Sequence, residues 1–212
     1  MRIKASLVAV AALACFVALG IEVTRYGESP GLLTWEDSLV NHSSLIAWWL
    51  TWSCYVQVLV PIVIVLLIVA WRVPAWRGRI IFSIVILLLC WRGVDFLQHV
   101  FARPRRLDWV VKHETAFSYP SSHAAIAIGF YGLWAWMLLM SQPPRAPRTV
   151  AAVLLAVLAF AICWARLALG AHYLTDLVGG ALFAIFLVSA GLAIVPGIVF
   201  EPVAGRASVS AE

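Results

Sequence analysis

Six sustained apolar runs, near residues 5–23, 51–71, 79–101, 122–141, 149–168 and 177–200, dominate the sequence. Each is about as long as a helix must be to cross the roughly 30 Å hydrocarbon core of a bilayer. Backbone inside lipid has to satisfy its own hydrogen bonds, so runs of this length read as α-helices. The chain is 64% hydrophobic and 12% charged over 212 residues, which leaves too little polar surface to cover a water-soluble globule. The expected fold is therefore all-α: one polytopic membrane domain over residues 1–212, with six crossings and no soluble second domain.

Pro61 and Pro196 fall inside two of the runs, where local kinks are expected. Residues 30–48 are mixed, with Leu32, Trp35 and Leu39 spaced to share a face, and read as a short interfacial helix. Many of the eleven tryptophans, among them Trp48, Trp49, Trp52, Trp71, Trp76, Trp109 and Trp164, sit near run ends as an aromatic belt. The apolar stretch after Lys4 continues to Val23, which favours a retained first helix over a cleaved leader. The four cysteines lie within apolar segments and show no metal-site spacing.

The net charge of +5 does not point to nucleic acid, because the basic residues form short clusters between apolar runs, where they orient helices or meet anionic headgroups. With both termini inside, the opposite face holds Arg25, Arg103, Arg105, Arg106, Lys112 and Arg166, crowded into short segments. That crowding is expected if they serve chemistry. The same topology brings the end of the third helix, the start of the fourth and the join of the fifth and sixth to one membrane face.

Tyr119-Pro120-Ser121-Ser122-His123 places a proline and two hydroxyls at a helix start, where unpaired N–H groups and the dipole attract an anion. Read alone, it is an ordinary capped start. His172 and Asp176 are four apart, so on one helical turn the carboxylate accepts the imidazole N–H and leaves the other nitrogen free to attack. Alone, the pair equally closes a helix end. Arg105 and Arg166 carry planar forks suited to phosphate oxygens, and Arg103 and Arg106 flank the first of them.

Arg105, then Pro120-Ser121-Ser122-His123, then Arg166-x5-His172-x3-Asp176 together resemble the type-2 phosphatidic acid phosphatase superfamily. The motifs of that family are Lys-x6-Arg-Pro, Pro-Ser-Gly-His and Ser-Arg-x5-His-x3-Asp, and the resemblance spans the third through sixth helices. Four positions depart from the pattern: Gln98 stands for the lysine, Arg106 for the proline, Ser122 for the glycine and Ala165 for the serine. Gln98 matters most, because an amide can hydrogen-bond a phosphate oxygen without neutralising it.

The resemblance implies a lipid phosphatase in which His172 attacks phosphorus, Asp176 orients it, and His123 protonates the leaving group and then activates water. A phosphohistidine lies between the two steps. Arg105, Arg166, Ser121, Ser122 and Gln98 would bind the phosphate, with Arg103 and Arg106 as further candidates, and no cofactor or metal is implied. The expected partners are a lipid phosphate and membrane lipids, and the expected place is a bacterial inner membrane with the site on the extracytoplasmic face. Undecaprenyl pyrophosphate is the substrate expected first; phosphatidylglycerol phosphate, phosphatidate, lipid A phosphate and a glycolipid phosphate stay open. Transfer to another lipid, or transport of an anionic lipid or phosphate without cleavage, are the rival functions. Outside the motifs, Arg92, Asp95, Gln98 and His99 share one side of the third helix. Two readings of that stripe are an Arg92–Asp95 ion pair between helices and a polar lining on the way to the site.

Overall fold

The computed structural model describes residues 2–41, 44–105, 116–141, 146–195 and 197. Helix α1 (Arg2–Tyr26) is followed by a short α2 (Pro30–Leu39). Next come α3 (Leu45–Trp52) and α4 (Val56–Arg72), which bend by 44° at the break between them and together make one span. Helices α5 (Pro74–Phe101), α6 (Ser122–Met140), α7 (Ala146–Ala168) and α8 (Leu174–Ile194) complete the bundle. Among the described residues, counting the bent pair once gives six helical spans long and apolar enough to cross a bilayer. The protein is thus an integral membrane protein with an all-helical fold.

Two boundaries of the spans differ most from those read in the sequence. The second span breaks at Ser53–Tyr55 while Pro61 lies within continuous helix, and the chain from Leu45 belongs to this bent span. Helix α8 stops at Ile194: Val195, ahead of a proline, leaves the helical region at φ −124° and ψ 69°. Pro196 itself lies outside the described residues, as do Trp109, Arg106 and Lys112.

Helix α6 is the axis of the bundle, with 61% of its span buried inside the protein against 28–39% for the other four unbroken spans. Ala124, Ala125, Ala127 and Gly129 keep one of its sides thin, so α5, α7 and α8 close around it. A segment of π-helix, Ala127–Gly132, interrupts its regular winding one turn past His123. Helix α1 packs along α8, and Phe16 reaches inward to stack on Tyr119 with ring centroids 5.5 Å apart. Lipid-facing positions such as Leu7, Val10, Val60, Ile64, Val85, Leu88, Val153 and Phe160 are exposed and apolar, as a bilayer requires.

The turn before α6 is held against α8 by two glycines. A Cβ on Gly179 would meet the Tyr119 ring at 2.2 Å, and one on Gly180 would meet the Ser121 carbonyl oxygen at 2.4 Å. The Tyr119 hydroxyl donates to the Phe16 carbonyl at 2.7 Å, which ties the same turn to α1. Burial holds the Tyr119 phenol above its usual range, so it remains a neutral donor. These contacts bring residues 118–123 to the start of α8, where the chemistry-bearing side chains gather.

Candidate active site

Asp176 is the third residue of α8 and is fully buried. Its Oδ2 accepts from the backbone N–H of Tyr173 at 3.0 Å, the usual capping duty of an acid in a first turn. The same oxygen faces His172 Nδ1 at 3.3 Å and accepts a short hydrogen bond from Ser118 Oγ. Oδ1 accepts from Arg103 Nη1 at 2.5 Å. The backbone is engaged as well, since Ser121 N donates to Asp176 O at 3.0 Å.

The spacing of His172 and Asp176 predicts one helical turn, but α8 begins at Leu174, so His172 stands two residues ahead of it. The pair meets across the capping turn instead. The backbone on either side of His172 is pinned, by Ala171, whose N–H donates to Arg166 O at 3.0 Å, and by the capped Tyr173.

On the opposite edge of the ring, Arg105 Nη1 lies 3.2 Å from His172 Nε2. An arginine only donates, so this contact requires a lone pair on Nε2 and leaves the proton on Nδ1, toward Asp176. Arg105 is held by two further bonds, Nε to Ala116 O at 2.6 Å and Nη1 to Ala171 O at 3.3 Å. Arg166, on the last turn of α7, is fully buried.

His123 is the second residue of α6 and is buried, with neither ring nitrogen hydrogen-bonded among the described residues. A buried polar ring without a partner is uncommon and points to a role with a ligand. Arg166, His172 and Arg105 are close enough for their charges to act on it. Tyr55 meets the ring edge-on, with centroids 5.5 Å apart, and the Cys54 thiol approaches the His123 carbonyl at 3.8 Å. Tyr131 donates to Ser53 O at 2.7 Å, so the bend between α3 and α4 rests on the site. A cavity of about 160 Å³ lined by Trp48, Trp52, Tyr55 and Gln57 opens beside it.

Ser121 is the N-cap of α6, its hydroxyl accepting from Ala124 N at 3.4 Å, while Ser122 is half-exposed at the first helical position. The helix start expected from Pro120-Ser121-Ser122-His123 is present. Gln98 is buried, and its Nε2 donates to Pro120 O at 3.0 Å, so it braces this turn from α5.

Arg103 is buried and faces carboxylates: Nη1 serves Asp176 and Thr175 Oγ1, and Nη2 lies 3.0 Å from Glu28 Oε2. Arg106 lies outside the described residues. The polar stripe of α5 divides, because Gln98 is buried while Arg92, Asp95 and His99 are exposed. Arg92 and Asp95 form no ion pair among the described residues, and His99 Nδ1 instead approaches Asp95 O at 2.8 Å.

Sequence reasoning missed Ser118, Glu28, Glu36 and Tyr55. Ser118 lies directly before the Tyr119 turn, and a hydroxyl there was the one available signal. Glu36 Oε1 accepts from Leu174 N at 2.7 Å across 138 residues of sequence, a separation no periodicity encodes. Among the described residues no group of three or more His, Cys, Asp or Glu side chains could hold a metal ion.

A family profile described as the PAP2 superfamily matches residues 6–199. Among solved structures, the fold is similar to a crystal structure described as the first transmembrane PAP2 type phosphatidylglycerolphosphate phosphatase from Bacillus subtilis. The TM-score is 0.68 at 17% identity, covering 89% of this chain and 96% of that one. No curated protein sequence gives a significant match.

Proposed function

Because the chain belongs to the PAP2 superfamily, we propose that it is a membrane phosphatase acting on a lipid phosphate, with His172 as nucleophile. The observation that carries this reading is the two-sided hold on His172, with Asp176 at Nδ1 and Arg105 at Nε2. The tautomer is set for attack. A phosphate oxygen that draws the Arg105 guanidinium to itself frees the Nε2 lone pair as it brings phosphorus near.

His172 Nε2 then bonds to phosphorus, and the bond from phosphorus to the lipid oxygen breaks. His123, protonated, gives its proton to that oxygen, so the lipid leaves as an alcohol, or as a monophosphate if the substrate is a diphosphate. His123 next takes a proton from water, whose oxygen attacks the phosphohistidine; the P–N bond breaks and inorganic phosphate departs. Asp176 stabilises the charged imidazole throughout. Arg105, Arg166, Ser122 and the first N–H groups of α6 are the proposed partners of the phosphate oxygens, a task that supplies most of the rate in phosphoryl transfer. Ser121 caps that helix, and Gln98 acts by bracing Pro120.

The substrate we propose first is undecaprenyl pyrophosphate, in a bacterial inner membrane with the site facing outward. Phosphatidylglycerol phosphate is the second reading, favoured by the name of the similar structure. Purified protein assayed in detergent with a chelator, against both lipids, phosphatidate and a lipid A phosphate, decides among them. Turnover that persists with chelator and is lost in His172→Ala is expected. Full activity in His172→Ala, or strict dependence on added metal, overturns the mechanism.

A further inference from the structure

We infer that Glu28 is a positioning residue for the His172–Asp176 pair and acts on it through Arg103. The inference rests on the reading of His172 as nucleophile. Glu28 lies between α1 and α2, outside every motif recognised in the sequence, yet its carboxylate is buried against the start of α8.

Four contacts hold Arg103 at this point: Asp176 Oδ1 at 2.5 Å, Thr175 Oγ1 at 2.8 Å, Glu28 Oε2 at 3.0 Å, and the Tyr173 ring, with the guanidinium 4.1 Å from its centroid. Thr175 Oγ1 also donates to Glu28 Oε2 at 2.5 Å, which closes a ring of bonds around the guanidinium. The order of charges is Glu28 minus, Arg103 plus, Asp176 minus, then His172. Asp176 has to hold the Nδ1 proton firmly while Nε2 gains a phosphoryl group and the imidazole becomes cationic. A guanidinium pressed on Oδ1 works against that by drawing the carboxylate's charge away from the ring. Glu28 on the far side of Arg103 offsets this pull, and in a buried setting such offsets act with little screening.

Glu36 supports the same end of α8 by accepting from Leu174 N. The segment between α1 and α3 thus delivers two buried carboxylates to the active-site helix, which gives this stretch a task beyond lying at the interface. The other charged or titratable groups around the pair are Arg105 at Nε2, and His123 and Arg166 across the site.

The test is a double-mutant cycle with Glu28→Gln and Arg103→Gln, using a lipid phosphate that the wild type hydrolyses. Glutamine at 28 keeps an acceptor for Arg103 and Thr175 and removes only the charge. Glu28→Gln is expected to lower kcat about tenfold with KM little changed, to reduce the phosphoenzyme formed, and to move the acidic limb of the pH profile down by roughly half a unit. The limb moves down because a weaker anion beside Nδ1 makes the imidazole easier to deprotonate. Glu28→Asp should recover much of the loss. In the Arg103→Gln background the Glu28→Gln penalty should vanish. Additive penalties, or a drop in melting temperature with kcat and pH profile intact, overturn the inference. Should Arg103→Gln fail to fold, the pH limb of Glu28→Gln and the Glu28→Asp recovery decide alone. Loss of the His172 mechanism itself would appear separately, as turnover that survives His172→Ala.

Discussion

Arg105 Nη1 and His172 Nε2 lie 3.2 Å apart, so the side chain proposed to bind phosphate also rests on the lone pair proposed to attack it. One substrate oxygen can replace the histidine as the partner of the guanidinium, and binding and activation of the nucleophile then become a single event. Arg105→Lys keeps the charge but loses the fork that reaches Ala116 O and His172 together. It is expected to raise KM and lower kcat, with kcat/KM down by about 10²-fold; an unchanged kcat/KM in a lipid phosphate assay speaks against the arrangement.

Asp176→Asn removes the charge and keeps one acceptor oxygen, so its NH2 group must face either Arg103 or the Tyr173 N–H, Ser118 and His172 side. The firm anionic hold on His172 Nδ1 is lost with it. Turnover should fall by about 10³-fold or more, and thermal stability should fall too, because the same carboxylate caps α8. A variant stable as wild type with mild kinetic loss would mean that Asp176 has no hold on His172.

His123, proposed to serve the leaving oxygen, has no hydrogen-bond partner among the described residues. His123→Ala should therefore cripple hydrolysis of an alkyl lipid phosphate far more than phosphorylation by p-nitrophenyl phosphate, whose leaving group needs no proton. Equal losses with both substrates would assign His123 to another task.

Gly180→Ala and Gly179→Ala place a Cβ against the Ser121 carbonyl and the Tyr119 ring. The backbone contact cannot yield cheaply, so Gly180→Ala should lower stability by about 1–3 kcal/mol and reduce activity by shifting the start of α6. A melting curve and a turnover assay check both. Gln98→Leu should also destabilise, by about 1–3 kcal/mol, because it leaves the Pro120 carbonyl buried without its donor. Gln98→Lys, which can still donate, should retain activity.

Much of this was legible in the sequence, and the omissions have physical causes. Apolar run length finds the spans because bilayer thickness dictates it, and even the bent second span covers its predicted run, though it starts earlier, at Leu45. The grouping of Arg105, His123, Arg166, His172 and Asp176 followed from helix count and spacing. Their fine geometry did not: the His172–Asp176 contact comes from a capping turn, which has the same spacing of four as a helical turn. Arg103 and Arg105 are equivalent as residue types, yet one faces carboxylates and the other the imidazole. Their partners lie 67 and 73 residues away, and only packing selects between them. Glu28 and Glu36 left no signal, because an acid in a polar segment between helices reads as solvated until α8 is laid beside it. Arg92 and Asp95, spaced for an ion pair, are exposed and unpaired with each other.

The central claim is that phosphorus passes through His172, and the most direct measurement is to trap it there. Wild-type protein mixed with a ³²P-labelled lipid phosphate and quenched in alkali should carry label that is stable to base and labile to acid. Mass spectrometry should locate it on the peptide containing His172, with none in His172→Ala, while ³²P-labelled p-nitrophenyl phosphate, whose leaving group needs no proton, should let more accumulate in His123→Ala. Label on another residue, or turnover in His172→Ala with no label at all, would contradict the account.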